Sequence, residues 1–106
     1  MDITKENEIG QVEIVDLEEY ARRGECPPKG RRYRIKIDGE RYIVDDPAIT
    51  GRQVLILARL EPPENYTLRV TVAGQRPEKV GLDESVDLTR RGVERFKSMP
   101  RDQTEG

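Results

Sequence analysis

A chain of 106 residues, with 34% apolar and 38% charged residues, holds one domain whose core is confined to part of the sequence. The net charge of −2 gives no general pull toward nucleic acid or anionic membrane, and no apolar run reaches the roughly 20 residues of a membrane span. Histidine is absent, which removes the commonest general base and the commonest metal ligand, and no catalytic or metal-binding constellation stands out among the scattered Asp and Glu.

Residues 1–9 are polar and are expected to be disordered. The opening MDITKENEIG lacks the basic-then-apolar layout of a signal peptide, which points to a cytoplasmic protein. Gln11 to Val15 alternates loosely and suggests a short strand. A two-turn helix is expected over 16–23. Asp16 and Glu19 have capping-box spacing, Val15 and Tyr20 flank the cap as a hydrophobic staple, and Gly24 is a natural stop. Leu17, Tyr20 and Ala21 share one face of that helix, so Leu17 and Tyr20 are candidate partner contacts. Residues 25–30 read as a linker. Cys26, the one cysteine, sits there beside Pro27 and Pro28 as an incidental loop thiol with no histidine to activate it. Residues 1–30 are thus expected to be an N-terminal extension.

The compact domain is expected over 31–99. Tyr33, Ile35 and Ile37 alternate with basic residues, as in a strand with one buried face. Asp38-Gly39 is the favoured two-residue hairpin turn, and folding there places Ile35 opposite Tyr42 and Tyr33 opposite Val44. Asp45, Asp46 and Pro47 end the second strand. Thr50 and Gln53 form a capping box, with Ile49 and Val54 as its staple. The helix is expected to run to Leu60, stopped by Pro62-Pro63. Val54, Leu55, Leu57 and Ala58 gather on one side of it. Ile56 falls among Arg52 and Arg59 on the other, either as a scattered surface residue or as part of a contact patch. Tyr66 to Val72 is the cleanest strand, 79–82 a short one, 83–88 a turn with two apolar anchors, and Val93 to Met99 a last strand with Phe96 buried. Residues 100–106 carry no apolar side chain and are expected to form a mobile tail.

This order describes an α+β layer structure: a four- to five-stranded mixed sheet with one main helix. Its first and last strands can pair in parallel at the centre, which is the β-grasp (ubiquitin-like) arrangement. The ferredoxin-like alternative needs a second helix, which 83–91 is too short and polar to supply.

The segments YRIKIDGERYIV, ITGRQVLILA, ENYTLRV, DESVDL and GVERF, in this order and spacing, resemble the bacterial multiubiquitin-type family of ubiquitin-like proteins. VEIVDLEEYARRGECPPKG resembles the leader of some members. The resemblance covers about residues 11–99. It implies a β-grasp modifier in a bacterial ubiquitination-like antiviral pathway; with no histidine and an inert cysteine, the chain itself is not expected to be an enzyme. Its implied partners are an activating enzyme, a conjugating enzyme and a JAB-type deubiquitinase-like protease. The sequence ends in Glu105-Gly106, where ubiquitin has paired glycines.

The tail suits that chemistry. Seven residues from 100 to 106 reach roughly 25 Å when extended, and Gly106 places no Cβ beside a reacting carbonyl. Gly106 with Glu105 is therefore the candidate conjugation end. Lys5, Lys29, Lys36, Lys79 and Lys97 are the candidate acceptor lysines for self-linkage, or simply solubilising residues. The basic residues from Arg22 to Lys36 lack interleaved aromatics other than Tyr33, which belongs to the core, so nucleic acid is not expected as a partner. No cofactor is implied for the chain itself. Two other readings remain: a non-covalent, self-assembling or adaptor module using the N-terminal extension, and a sulfur carrier with a terminal thiocarboxylate.

Overall fold

The computed structural model describes residues 14–29 and 32–101. The chain runs β1 (Ile14–Asp16), α1 (Leu17–Arg23), β2 (Arg32–Ile37), β3 (Glu40–Val44), β4 (Ala48–Thr50), α2 (Gly51–Leu57), a 3-10 turn (Pro63–Asn65), β5 (Tyr66–Val72), β6 (Glu78–Val80), β7 (Ser85–Asp87) and β8 (Val93–Pro100). The expectations for 1–13 and for the tail beyond Arg101 lie outside the described residues.

The hairpin forms as the Asp38-Gly39 turn dictates. Ile35 faces Tyr42 and Tyr33 faces Val44 across β2 and β3, and Asp38 and Gly39 both take positive φ, 52° and 88°. The last strand pairs with β2 in parallel at Ile37 and Phe96, and with β5 in antiparallel from Tyr66–Pro100 to Val72–Val93. Hence β8 lies between β2 and β5, with β6 beyond β5 and β3 on the far side of β2. This is the mixed sheet of a β-grasp fold, packed against α2, whose Val54 and Leu55 are fully buried. The Asp38 carboxylate ties the hairpin turn to β8, accepting from the Ser98 amide at 2.8 Å and from its hydroxyl.

Helix α2 starts as its capping box requires. Thr50 Oγ1 accepts from the Gln53 amide at 3.1 Å, and Gln53 Oε1 accepts from the Thr50 amide at 2.9 Å. Its end differs from expectation. The helix stops at Leu57, well before Pro62, because Arg59 enters the left-handed region at φ 63°. The Leu60 amide then donates to Leu55 O at 2.8 Å and the Arg59 amide to Ile56 O at 2.9 Å, the paired bonds of a Schellman end. Helix α1 ends the same way at Gly24, here with the residue that suits a positive φ.

Two features extend beyond the expected plan. The core reaches further toward the N-terminus than Arg31. β1 pairs in parallel with β2, and Val15, Leu17 and Ala21 are buried. Asp16 caps α1 through the Glu18 amide at 3.1 Å, one residue earlier than capping-box spacing suggests. The 25–29 segment is held too: the Tyr33 hydroxyl donates to Pro28 O. The 83–88 stretch contains a strand, β7, paired in antiparallel with β4 as a separate two-stranded sheet that buries Ile49 and Val86.

Candidate functional site

The end of the chain leaves the domain from its central strand. β8 is paired with β5 as far as Pro100, opposite Tyr66. The Arg101 amide donates to Asn65 O at 2.8 Å, and its guanidinium reaches Tyr66 O at 3.4 Å. The backbone is therefore anchored through residue 101, and the 3-10 turn before β5 supplies that anchor. Glu105 and Gly106 lie outside the described residues.

The other singled-out residues do not converge on one site. Ile56 is 45% exposed on α2. Arg52 is engaged by carboxylates from two loops, Glu64 at 2.9 Å and Asp83 at 3.4 Å. The hydrogen bonds it donates to Glu64 and then to Asp83 hold the Arg52 guanidinium above its ordinary pKa. The Glu64 carboxyl is held below its own, first by its backbone amide and then by Arg52. Arg52 thus fastens α2 to the 62–65 and 82–84 loops. Arg59 is exposed and sets the helix end.

Leu17 is 1% exposed and sits in the core, so this conformation does not present it to a partner. Tyr20 is half-buried against the core, with the Arg23 guanidinium 4.6 Å above its ring. Among the lysines, Lys36 pairs with Glu18 at 3.1 Å. Lys29, Lys79 and Lys97 are exposed, and Lys5 lies outside the described residues. Cys26 is exposed.

Two arrangements were not foreseen from the sequence. Glu18 bridges Lys36 of β2 and Arg95 of β8, at 3.1 and 3.3 Å, so the start of α1 spans the seam between those strands. On the other side, β3 and α2 flank an open groove of about 210 Å³ lined by Ile43, Ala48, Ile49 and Leu57. Neither could be found without the strand register. Among the described residues, no group of three or more Cys, Asp or Glu could hold a metal ion, and no helix is long and apolar enough to cross a membrane.

No curated protein and no solved structure matches the chain. The model of the Multiubiquitin family matches residues 33–101. That span begins at Tyr33 in β2, ends at the Arg101 anchor and leaves out β1 and α1. Together with the parallel pairing of β2 and β8 under α2, it settles the family: the chain belongs to the Multiubiquitin family of ubiquitin-like domains.

Proposed function

We propose that the protein is a ubiquitin-like modifier, not itself an enzyme, joined to targets through the carboxyl of Gly106. The observation that carries this reading is the exit of β8, the central strand of a ubiquitin-like sheet, held through Arg101, in a chain whose residues 33–101 match the Multiubiquitin family model. Five residues reach at most roughly 17 Å beyond that anchor, enough to enter a recessed site on an enzyme.

The chemistry belongs to partners. In an activating enzyme, a carboxylate oxygen of Gly106 attacks the α-phosphate of ATP, forming an acyl-adenylate and releasing pyrophosphate. A cysteine thiolate of the enzyme displaces AMP and takes the acyl group as a thioester. A conjugating enzyme passes it to a target amine, forming an amide and returning the thiol. A JAB-type protease reverses the linkage. The setting is a bacterial cytoplasmic antiviral pathway. Glu105 neighbours the reacting carbonyl, and Gly106 leaves it unhindered. Lys29, Lys79 and Lys97, exposed in the fold, are the acceptors for self-linkage.

The test is incubation of the full chain with such an activating enzyme and ATP. A thiol-reducible adduct is expected. If removal of Gly106 leaves the adduct intact, conjugation at this residue is refuted.

A second reading, non-covalent self-assembly, draws on β1 and α1. They complete the core through a three-residue parallel pairing that a second copy could supply by exchange. Sedimentation of the full chain over a wide concentration range tests it, and a monomer mass throughout removes it.

A further inference from the structure

Asp38-Gly39 is the one place in the sequence where an Asp or Asn precedes glycine. That dipeptide carries a latent reaction. The nitrogen that follows an aspartate can reach its Cγ and close a five-membered imide, and glycine places no side chain in the way. Every other Asp and Asn is followed by a residue with a Cβ. Asp38 and Gly39 are both exposed, so water has access to the turn. The β2–β3 ladder closes between Ile37 and Glu40, which leaves the Gly39 nitrogen outside it.

The fold engages the rest of Asp38. Its amide donates to Phe96 O at 3.0 Å. Its carboxylate accepts from the Ser98 amide at 2.8 Å through one oxygen and from the Ser98 hydroxyl through the other. Both oxygens are thus committed to β8. Ring closure requires the carboxyl group to leave them and turn back over its own backbone.

We propose that Asp38 is a site of spontaneous isoaspartate formation, and that Ser98 holds the reaction back by keeping the carboxylate on β8. The Gly39 nitrogen attacks Asp38 Cγ and a C–N bond forms. A Cγ–O bond breaks, and that oxygen leaves as water with the amide proton and one proton from solvent. Water then adds to one carbonyl of the imide. Addition at Cγ restores aspartate. Addition at the backbone carbonyl opens the ring the other way, and the main chain then runs through Cγ. Water is the only co-reactant.

The product carries one more main-chain atom in the turn, and its free carboxylate sits on Cα. A two-residue turn matches the twist of its strands only with ordinary backbone geometry. The displaced carboxylate leaves Ser98, which lies on β8 three residues before the Arg101 anchor. One covalent change therefore loosens the hairpin and the last strand together. This inference is independent of conjugation at Gly106.

The experiment follows isoaspartate in the full chain during prolonged incubation at neutral pH. Its amount is read with an isoaspartate methyltransferase and labelled S-adenosylmethionine. Its position is read with an endoprotease that cuts before aspartate and not before isoaspartate. Isoaspartate is expected at residue 38, and at least roughly tenfold faster in urea, where both hydrogen bonds to the carboxylate are lost. Ser98→Ala, folded and without urea, is expected to speed the reaction at least roughly threefold. Ser98→Thr keeps the hydroxyl and is expected to stay near the parent rate. Leu17→Ala weakens the core outside the hairpin and is also expected to stay near it, which separates the clip from general unfolding. The modified fraction is expected to unfold at lower urea than the unmodified one. The proposal is overturned if isoaspartate forms elsewhere and not at residue 38, or if urea does not speed it. It is also overturned if Ser98→Ala matches the parent, if Ser98→Thr or Leu17→Ala is as fast as Ser98→Ala, or if the modified fraction keeps the parent midpoint.

Discussion

Gly51 opens α2, and propensity alone favours alanine at a helical position by up to ~1 kcal/mol over glycine. The packing predicts the reverse. A Cβ added at Gly51 would overlap the Gly81 carbonyl oxygen, lie 3.1 Å from its carbon and sit 3.2 Å from Cγ1 of Val80. The obstacle is backbone, which cannot swing aside as a side-chain tip can. The backbone is fixed there as well: the Gly51 amide donates to Glu84 O at 3.1 Å, and the Arg52 amide to Leu82 O at 2.9 Å. Separating the two segments strains both bonds, each worth about 0.5–1.5 kcal/mol, in addition to an overpacking cost of about 1–3 kcal/mol. After crediting helix propensity, Gly51→Ala is expected to destabilise the protein by about 1–3 kcal/mol. For a domain of this size that lowers the melting temperature by roughly 4–20 °C. Urea unfolding followed by far-UV circular dichroism measures it, with the midpoint falling and the slope unchanged. A midpoint equal to or above that of the parent would refute the close approach of α2 to the 80–84 segment.

Arg59→Gly relieves a left-handed residue at the Schellman end of α2 and is expected to stabilise by about 0.5–1 kcal/mol in the same assay. Leu17→Ala removes a side chain that is 1% exposed and is expected to cost about 2–5 kcal/mol, whereas a dispensable leader would show almost no change. Asp87 is held below the ordinary aspartate pKa by hydrogen bonds from the Thr89 side chain and then its amide. A carboxyl lowered on folding contributes stability above its unfolded pKa and loses it as pH falls through the folded value. Thr89→Val is therefore expected to move the Asp87 titration, followed by carboxyl carbon NMR, back toward the ordinary range. The stability difference between the two proteins should be present at neutral pH and vanish in acid.

Local rules made much of this fold legible. The Asp38-Gly39 turn set the pairing of β2 and β3, because a two-residue hairpin admits one register. The Thr50–Gln53 box marked the start of α2, since both bonds lie within one turn. The order of elements was enough to place β8 in the centre.

What local pattern could not show depends on distant contacts. β4 and β7 are three residues each, too short for a period-two signal, and exist because they pair with one another. Helix α2 ends at a left-handed arginine, a position that sequence rules reserve for glycine or asparagine, so the later prolines looked like the stop. Residues 25–30 resembled a linker because of their prolines. Yet Glu18 meets Arg95 and Tyr33 meets Pro28 only once the sheet has assembled. The lysines were legible as exposed residues, but not the alignment of any of them with a neighbouring cation. Lys79, Arg69 and Lys97 align only through two strand registers that no spacing in the sequence reveals.

The position of β8 also has a mechanical consequence. An unfolding motor gripping the residues beyond Arg101 would pull lengthwise on the central strand. The load would be shared across the whole antiparallel ladder with β5, the parallel contact with β2 and the Asp38–Ser98 clip, whose partners are 60 residues apart in sequence. Bonds loaded in shear yield together, while bonds at a peeled edge yield one at a time. A pull from this end therefore meets the domain in its most resistant direction, and a pull on the edge strand β3 meets it in a weaker one.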